Sequence, residues 1–141
     1  MPQVDFYVLP SAAPSDRLDY ACKLSALAWQ QGLSVYLRGI DEAQCEAIDE
    51  RLWRFRGESF VPHDLLGDGP APVLIGCDEP PAEHSGLLIN LGADVPGYHG
   101  RFARIAELVI EQPEILQRSR QHFVHYREQG YPLRNHRLNR C

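Results

Sequence analysis

Five short apolar runs, separated by stretches with helical periodicity, constrain this chain more than any other feature. "VDFYVL" (4–9), "LSVYL" (33–37), "VLIG" (73–76) and "GLLINL" (86–91) have the length and side chains of buried strands. "FARIAELVI" (102–110) reads as a fifth strand with a short helical lead-in. Between the first two runs, Ser15 is placed to cap a helix and Asp16 sits well against its dipole. That helix runs to about Gln31, with Leu18, Cys22, Leu24, Ser25, Ala28 and Trp29 inward and Gly32 as its stop. Asp41 and Gln44 form a capping-box pattern for a second helix, whose apolar side is Ala43, Ala47, Ile48 and Leu52. Pro113 opens a last helix, "EILQRSRQHFVHYREQ" (114–129), which Gly130 ends.

Strands alternating with helices predict a single three-layer α/β domain over residues 1–133. Its sheet is mostly parallel, with about five strands and helices flanking it. The remaining residues, 134–141, are polar and basic and read as a loosely held tail. A length of 141 residues suits one such domain and buries a core without staples. Cys22, Cys45, Cys77 and Cys141 show neither a C-x-x-C pair nor zinc spacing, so they read as free thiols in a reducing compartment. With no leader and no long apolar run, the expectation is a cytoplasmic protein without a membrane partner.

A net charge of −5 argues against direct nucleic-acid binding, whose footprint is a basic face. The charge is uneven, however. Residues 41–50 carry Asp41, Glu42, Glu46, Asp49 and Glu50 with no basic residue. From 118 onward, Arg118, Arg120, Arg127, Arg134, Arg137 and Arg140 face only Glu128. Arginine suits fork-like pairing with carboxylates.

The scaffold is of the nucleotide-binding kind, but the phosphate motifs are missing. There is no G-x-x-x-x-G-K-[ST], and the turn after the first strand reads "PSAAPS" where a dinucleotide fold needs G-x-G-x-x-G. No cofactor is expected, and no G-x-S-x-G elbow is present. His122 and His125 lie at i, i+3, close enough to share a metal, but no acidic residue joins them at helical spacing on that face. His84, His99 and His136 read as surface residues. The enzymatic alternative is a small hydrolase-like protein using His63, beside Asp64 and near Ser59, or using Cys77, which follows a strand. No C-x5-R loop follows Cys77, so it reads as inert.

The stretch "RLWRFRGESFVPHDLL" (51–66) places Trp53, Phe55 and Phe60 around Gly57 and Pro62. Loops run over the surface, and an aromatic on a proline-stiffened segment is what a binding hot spot requires. This stretch also carries a resemblance, together with "FYVL" (6–9), "LDYACKLSALAWQQGLSVYL" (18–37), "IDERLWRFRGESFVPHDLL" (48–66), "PVLIG" (72–76), "LLINL" (87–91) and "RSRQHFVHYREQGYPL" (118–133). Over nearly its whole length the chain resembles the chi subunit of bacterial DNA polymerase III holoenzyme, an accessory protein of the clamp-loader complex.

That resemblance implies a non-catalytic linker acting in DNA replication. It implies a monomer in isolation that forms a heterodimer with the psi subunit and also binds the acidic, apolar C-terminal tail of single-stranded-DNA-binding protein. The psi contact is expected at 53–63, with Trp53, Phe60, Pro62 and His63. A tail ending in acids, an aromatic and a free carboxylate needs an apolar pocket and an arginine. On the last helix Arg120 and Arg127 flank Leu116, Phe123 and Val124, and Arg118 is a second, electrostatic contact. Members of the family can carry lysines near Leu116 and Val124. Here both places are apolar, and the basic supply shifts to Arg118, Arg127 and the arginines after 133.

Overall fold

A computed structural model of the chain describes residues 2–54 and 61–140. In chain order the elements are β1 (Gln3–Val8), α1 (Pro14–Gln30), β2 (Val35–Arg38), α2 (Glu42–Arg54), β3 (His63–Leu65) and β4 (Val73–Gly76). They continue as β5 (Leu87–Asn90), a single 3-10 turn (His99–Arg101), β6 (Arg104–Val109), α3 (Pro113–Glu128) and β7 (Leu133–Arg137). The strands form one sheet in the order β3-β4-β2-β5-β6-β1-β7, and every pairing is parallel.

The α/β class and the parallel sheet follow the sequence expectation, but the sheet has seven strands where about five were expected. The two additions are the edge strands. β3 is three residues long with Asp64 at its centre. β7 reads "LRNHR" and lies partly exposed where a loose tail was expected. Neither carries an apolar run, because an edge strand needs only one ladder, and polar side chains keep it from recruiting other chains.

Helix starts show a similar mix. α2 has half of its expected capping box: Gln44 N–H donates to Asp41 Oδ1 at 2.8 Å, while Gln44 Oε1 accepts at 2.7 Å from the N–H of Ile40, the residue before the cap, and not from that of Asp41. α1 starts one residue before Ser15, with Pro14 in its first turn and Ala13 at the cap. Proline fits there because its missing N–H would have no helical partner. Ser11, not Ser15, organises that entrance: its hydroxyl accepts from Ala13 N–H at 3.0 Å and donates to Asp16 at 2.5 Å. On α2, Cys45 joins Ile48 and Leu52 on the buried face, and Ala43 is exposed.

Alternate strand residues feed two cores, as the pleat requires. Val35, Leu37, Val73, Ile75, Leu87, Ile89, Ala106 and Leu108 meet α1 and α2 on one face. Val4, Phe6, Tyr36, Leu74, Leu88 and Ile105 meet Tyr126 of α3 and Phe102 on the other. The handedness of parallel crossovers sets this division. The chain moves one way across the sheet from β1 to β2 to β3, through α1 and α2. From β3 onward it moves the other way, through loops and α3, and so crosses the opposite face.

Candidate functional site

In an open parallel sheet, ligands bind beyond the strand C-termini, where neighbouring strands send their connections to opposite faces. Between β1 and β6 the chain itself occupies that position. Glu111 N–H donates to Ser11 O at 2.7 Å, and Leu9 N–H donates to Val109 O at 2.8 Å. Between β2 and β5, Arg38 lies across the gap. It donates to Asn90 Oδ1 at 2.9 Å and Asp94 O at 2.8 Å, and pairs with the Asp94 carboxylate at 2.6 Å. Between β4 and β2 a cavity of about 250 Å³ remains, lined by Cys45, Cys77, Leu65 and four acidic residues.

Of the stretch 53–63 expected to form an aromatic surface, the described residues Trp53 and 61–63 lie at the β3 edge. Trp53 closes α2 and is 63 % exposed, the most exposed of four large apolar side chains standing in solvent among the described residues. Its ring lies 4.6 Å from that of His63. The His63 side chain is fully buried: Nδ1 donates to Val61 O at 2.8 Å, and Nε2 stands 3.4 Å from Asp49 Oδ1. Asp49 and Trp53 are one helical turn apart, so His63 is clamped beneath both. The His63 side chain is therefore buried under Trp53 and not itself exposed, where the sequence expectation counted it among the contact residues. Pro62 is half-buried beside the buried Val61. Phe60, the aromatic expected at the centre of this contact, lies outside the described residues, as do Phe55, Gly57 and Ser59.

The second expected surface falls on α3. His122 and Tyr126 form its buried stripe. On the flank toward β1 and β7, Phe123 packs against Phe6 with ring centroids 5.5 Å apart. Leu116, Phe123 and Leu133 are half-buried there, and Val124 is exposed. Arg120 and Arg127 are exposed on the same flank. The sequence-derived grouping of Leu116, Arg120, Phe123, Val124 and Arg127 is thus one continuous strip. Arg118 is on the opposite flank, at a small opening shared with Arg17, Glu107, Ser119 and His122.

The arginines divide by role. Arg38, Arg51, Arg54, Arg101 and Arg104 pair with the chain's own carboxylates, and Arg17 donates to Leu108 O at 2.9 Å. Arg118, Arg120 and Arg127 enter none of the ion pairs found among the described residues. Their charge is therefore available to a carboxylate from outside.

Beneath α3 lies a buried polar network that sequence reading did not single out. Glu107 of β6 is 4 % exposed. It accepts from Tyr126 O–H at 2.7 Å, from Asn90 Nδ2 at 2.8 Å and from His122 Nδ1 at 2.9 Å. His122 Nε2 faces Ala93 O at 3.1 Å. Both ring nitrogens face acceptors, an arrangement that the doubly protonated ring satisfies in full. Burial works against the charged form, but the hydrogen bond and charge of Glu107, with the Ala93 carbonyl and the Asp94 charge adding to them, hold the His122 pKa above its ordinary value. The available signals were a glutamate inside "IAELVI" and an asparagine inside "LLIN", polar residues within buried strands.

The remaining chemistry-bearing expectations change. His122 turns inward while His125 is exposed against His99, so the pair does not converge on a metal. Among the described residues no three metal-ligating side chains cluster. His84 is buried, and His136 is half-buried, donating to Asp5 at 2.9 Å, so neither is a plain surface residue. For the hydrolase-like alternative, His63 is enclosed and Cys77 lies against Cys45. No helix among the described residues is long and apolar enough to cross a membrane.

Comparison with known proteins places the chain in a family. A family model described as DNA polymerase III chi subunit, HolC, matches residues 1–134. The DNA polymerase III subunit chi of Pseudomonas aeruginosa is 56 % identical over 141 residues, covering 99 % of each chain. The protein of that name from Haemophilus influenzae is 32 % identical over 132 residues, covering 91 % of this chain and 92 % of its own. That of Escherichia coli is 30 % identical over 141 residues, covering 94 % and 96 %.

Proposed function

Because the chain belongs to the chi-subunit family of DNA polymerase III, we propose that it is a non-catalytic accessory subunit whose two surfaces join two protein partners during DNA replication. The surface around Trp53 takes the psi subunit of the clamp loader. The strip from Leu116 to Arg127 takes the C-terminal tail of single-stranded-DNA-binding protein. Arg120 seats the tail's terminal carboxylate, while Phe123, Val124 and Leu116 receive its apolar end. Arg127 and Arg118 add longer-range attraction for its acids.

One observation supports this reading: Trp53 and the strip from Leu116 to Arg127 lie toward opposite edges of the sheet. β3 and β7 are separated by six interstrand spacings, about 29 Å at ~4.8 Å each. Partners at that separation do not compete for area, which is what a linker needs.

The test is a titration of a labelled tail peptide against the free chain and against its complex with psi. Equal affinities are expected in the two titrations. Arg120→Ala removes a charge-assisted bond, about 1.5–3 kcal/mol, or roughly ten- to a hundredfold in affinity. It leaves psi binding unchanged. Competition between the peptide and psi would refute the two-edge arrangement. Equal, salt-abolished losses for Arg120→Ala and Arg127→Ala would replace a seated carboxylate with diffuse attraction.

A further inference from the structure

The crevice between β2 and β4 holds two thiols in contact. Cys45 Sγ and Cys77 Sγ are 3.4 Å apart, although 32 positions separate them in sequence. Cys45 projects from the start of α2, and Cys77 directly follows the last residue of β4. Both line the 250 Å³ cavity. Cys45 is buried and Cys77 only partly so, which means a small reagent entering the cavity meets Cys77 first.

The contact is built into the backbone. Gly39 lies so close that a Cβ there would come within 2.6 Å of Cys45 Sγ, so a larger residue would push the sulfur aside. Cys45 is held on the same buried helix face as Ile48 and Leu52. Burial, with the hydrogen bond to Cys77 adding to it, pushes the Cys45 thiol up to about 12. Such a thiol is a poor first nucleophile but is well placed to attack a sulfur already activated beside it.

We propose that Cys45 and Cys77 form a peroxide-oxidisable dithiol, with Cys77 the sulfur oxidised first and Cys45 the resolving thiol. In the first step the Cys77 thiolate attacks one oxygen of hydrogen peroxide. An S–O bond forms, the O–O bond breaks, and the departing hydroxide leaves as water with the proton from the Cys77 thiol. In the second step Cys45 sulfur attacks the Cys77 sulfenic sulfur. The S–S bond forms, the S–O bond breaks, and hydroxide departs as a second water with the Cys45 proton. The two thiols lose two electrons and peroxide gains them. The sulfurs must close from 3.4 Å to about 2.05 Å, an approach of roughly 1.4 Å within a cavity that leaves room for it. The product staples the start of α2 to the end of β4. It encloses residues 46–76, the segment that carries Trp53, Pro62 and His63.

The experiment treats the reduced full-length chain with hydrogen peroxide, then blocks free thiols and maps peptides under non-reducing conditions. A Cys45–Cys77 cross-linked peptide is expected in most molecules, abolished by dithiothreitol, with Cys22 still free. Cys45→Ala is expected to accumulate sulfenic acid at Cys77, trapped by dimedone. The mapping of the unaltered chain stands by itself should that variant fold poorly. Over-oxidation of Cys77 without cross-linking, a predominant pairing with Cys22 or Cys141, or two unreacted thiols would each overturn the proposal.

Discussion

Glu107 shows how much one residue can organise. It accepts three hydrogen bonds in a site closed to solvent, from β5 and from two positions of α3. Glu107→Gln removes the charge that faces His122 and keeps the shape. Breaking a buried pair from one side costs about 3 kcal/mol, so the variant's denaturant midpoint is expected to fall by that equivalent, and an unchanged midpoint would refute the pairing. The pH dependence follows from the His122 shift. Its folded-state pKa is raised, so its contribution is complete below about pH 6.5, the ordinary value for a histidine, and is lost as pH rises through the raised value. Urea unfolding of the parent chain is therefore expected to weaken from pH 6 to pH 9 more than that of His122→Gln. Equal slopes would remove the imidazolium from the account. Asp5 acts in the opposite direction. Burial alone would raise its pKa, but His136 and Arg104 outweigh that and hold it below the ordinary carboxylate value. Its contribution is lost as pH falls through that lowered value.

Among the elements, α2 and β7 carry the most specific expectations. α2 presents Trp53 at its exposed end while Cys45, Ile48 and Leu52 anchor it. Trp53→Ala is expected to weaken psi binding by about 2 kcal/mol or more, as loss of a hot-spot aromatic does. The free chain should lose no more than about 1 kcal/mol of stability, because Trp53 is largely exposed. A variant that binds psi as tightly as the parent would move that surface elsewhere. β7 pairs with β1 from Leu133 to Arg137, and His136 stacks on Tyr7 at 4.8 Å while bonding to Asp5. A chain ending at residue 132 exposes the β1 edge and loses that charge-assisted bond, worth about 1.5–3 kcal/mol. Amides of β1 are expected to exchange far faster in the shortened chain. Unchanged protection would mean that the last strand is not held.

For the whole molecule, the apolar runs by themselves determined the α/β class, three helices and five of the strands, because burying a continuous run of Val, Leu and Ile leaves a strand little alternative. The helix stops at Gly32 and Gly130 were equally legible, both glycines having positive φ, a conformation that costs other residues energy. The strip on α3 was legible too, since 3.6-residue periodicity places Leu116, Arg120, Phe123 and Arg127 on one flank wherever the helix packs. The same periodicity set Arg118 apart from that strip, as the structure has it, but sequence could not show which flank faces solvent. That depended on the buried stripe of His122 and Tyr126, and so on Glu107 of the neighbouring strand β6. β3 and β7 were hidden because edge strands draw their stability from one neighbour's ladder and leave little apolar signature. His63 read as a candidate base because sequence shows its neighbours Asp64 and Ser59, whereas the fold sets it against Asp49 and Val61. The contact of Cys45 with Cys77 and the placing of Trp53 and the α3 strip toward opposite edges of the sheet were decided by tertiary structure alone. Both follow from strand order, which crossover handedness and packing fix together and which local sequence does not encode.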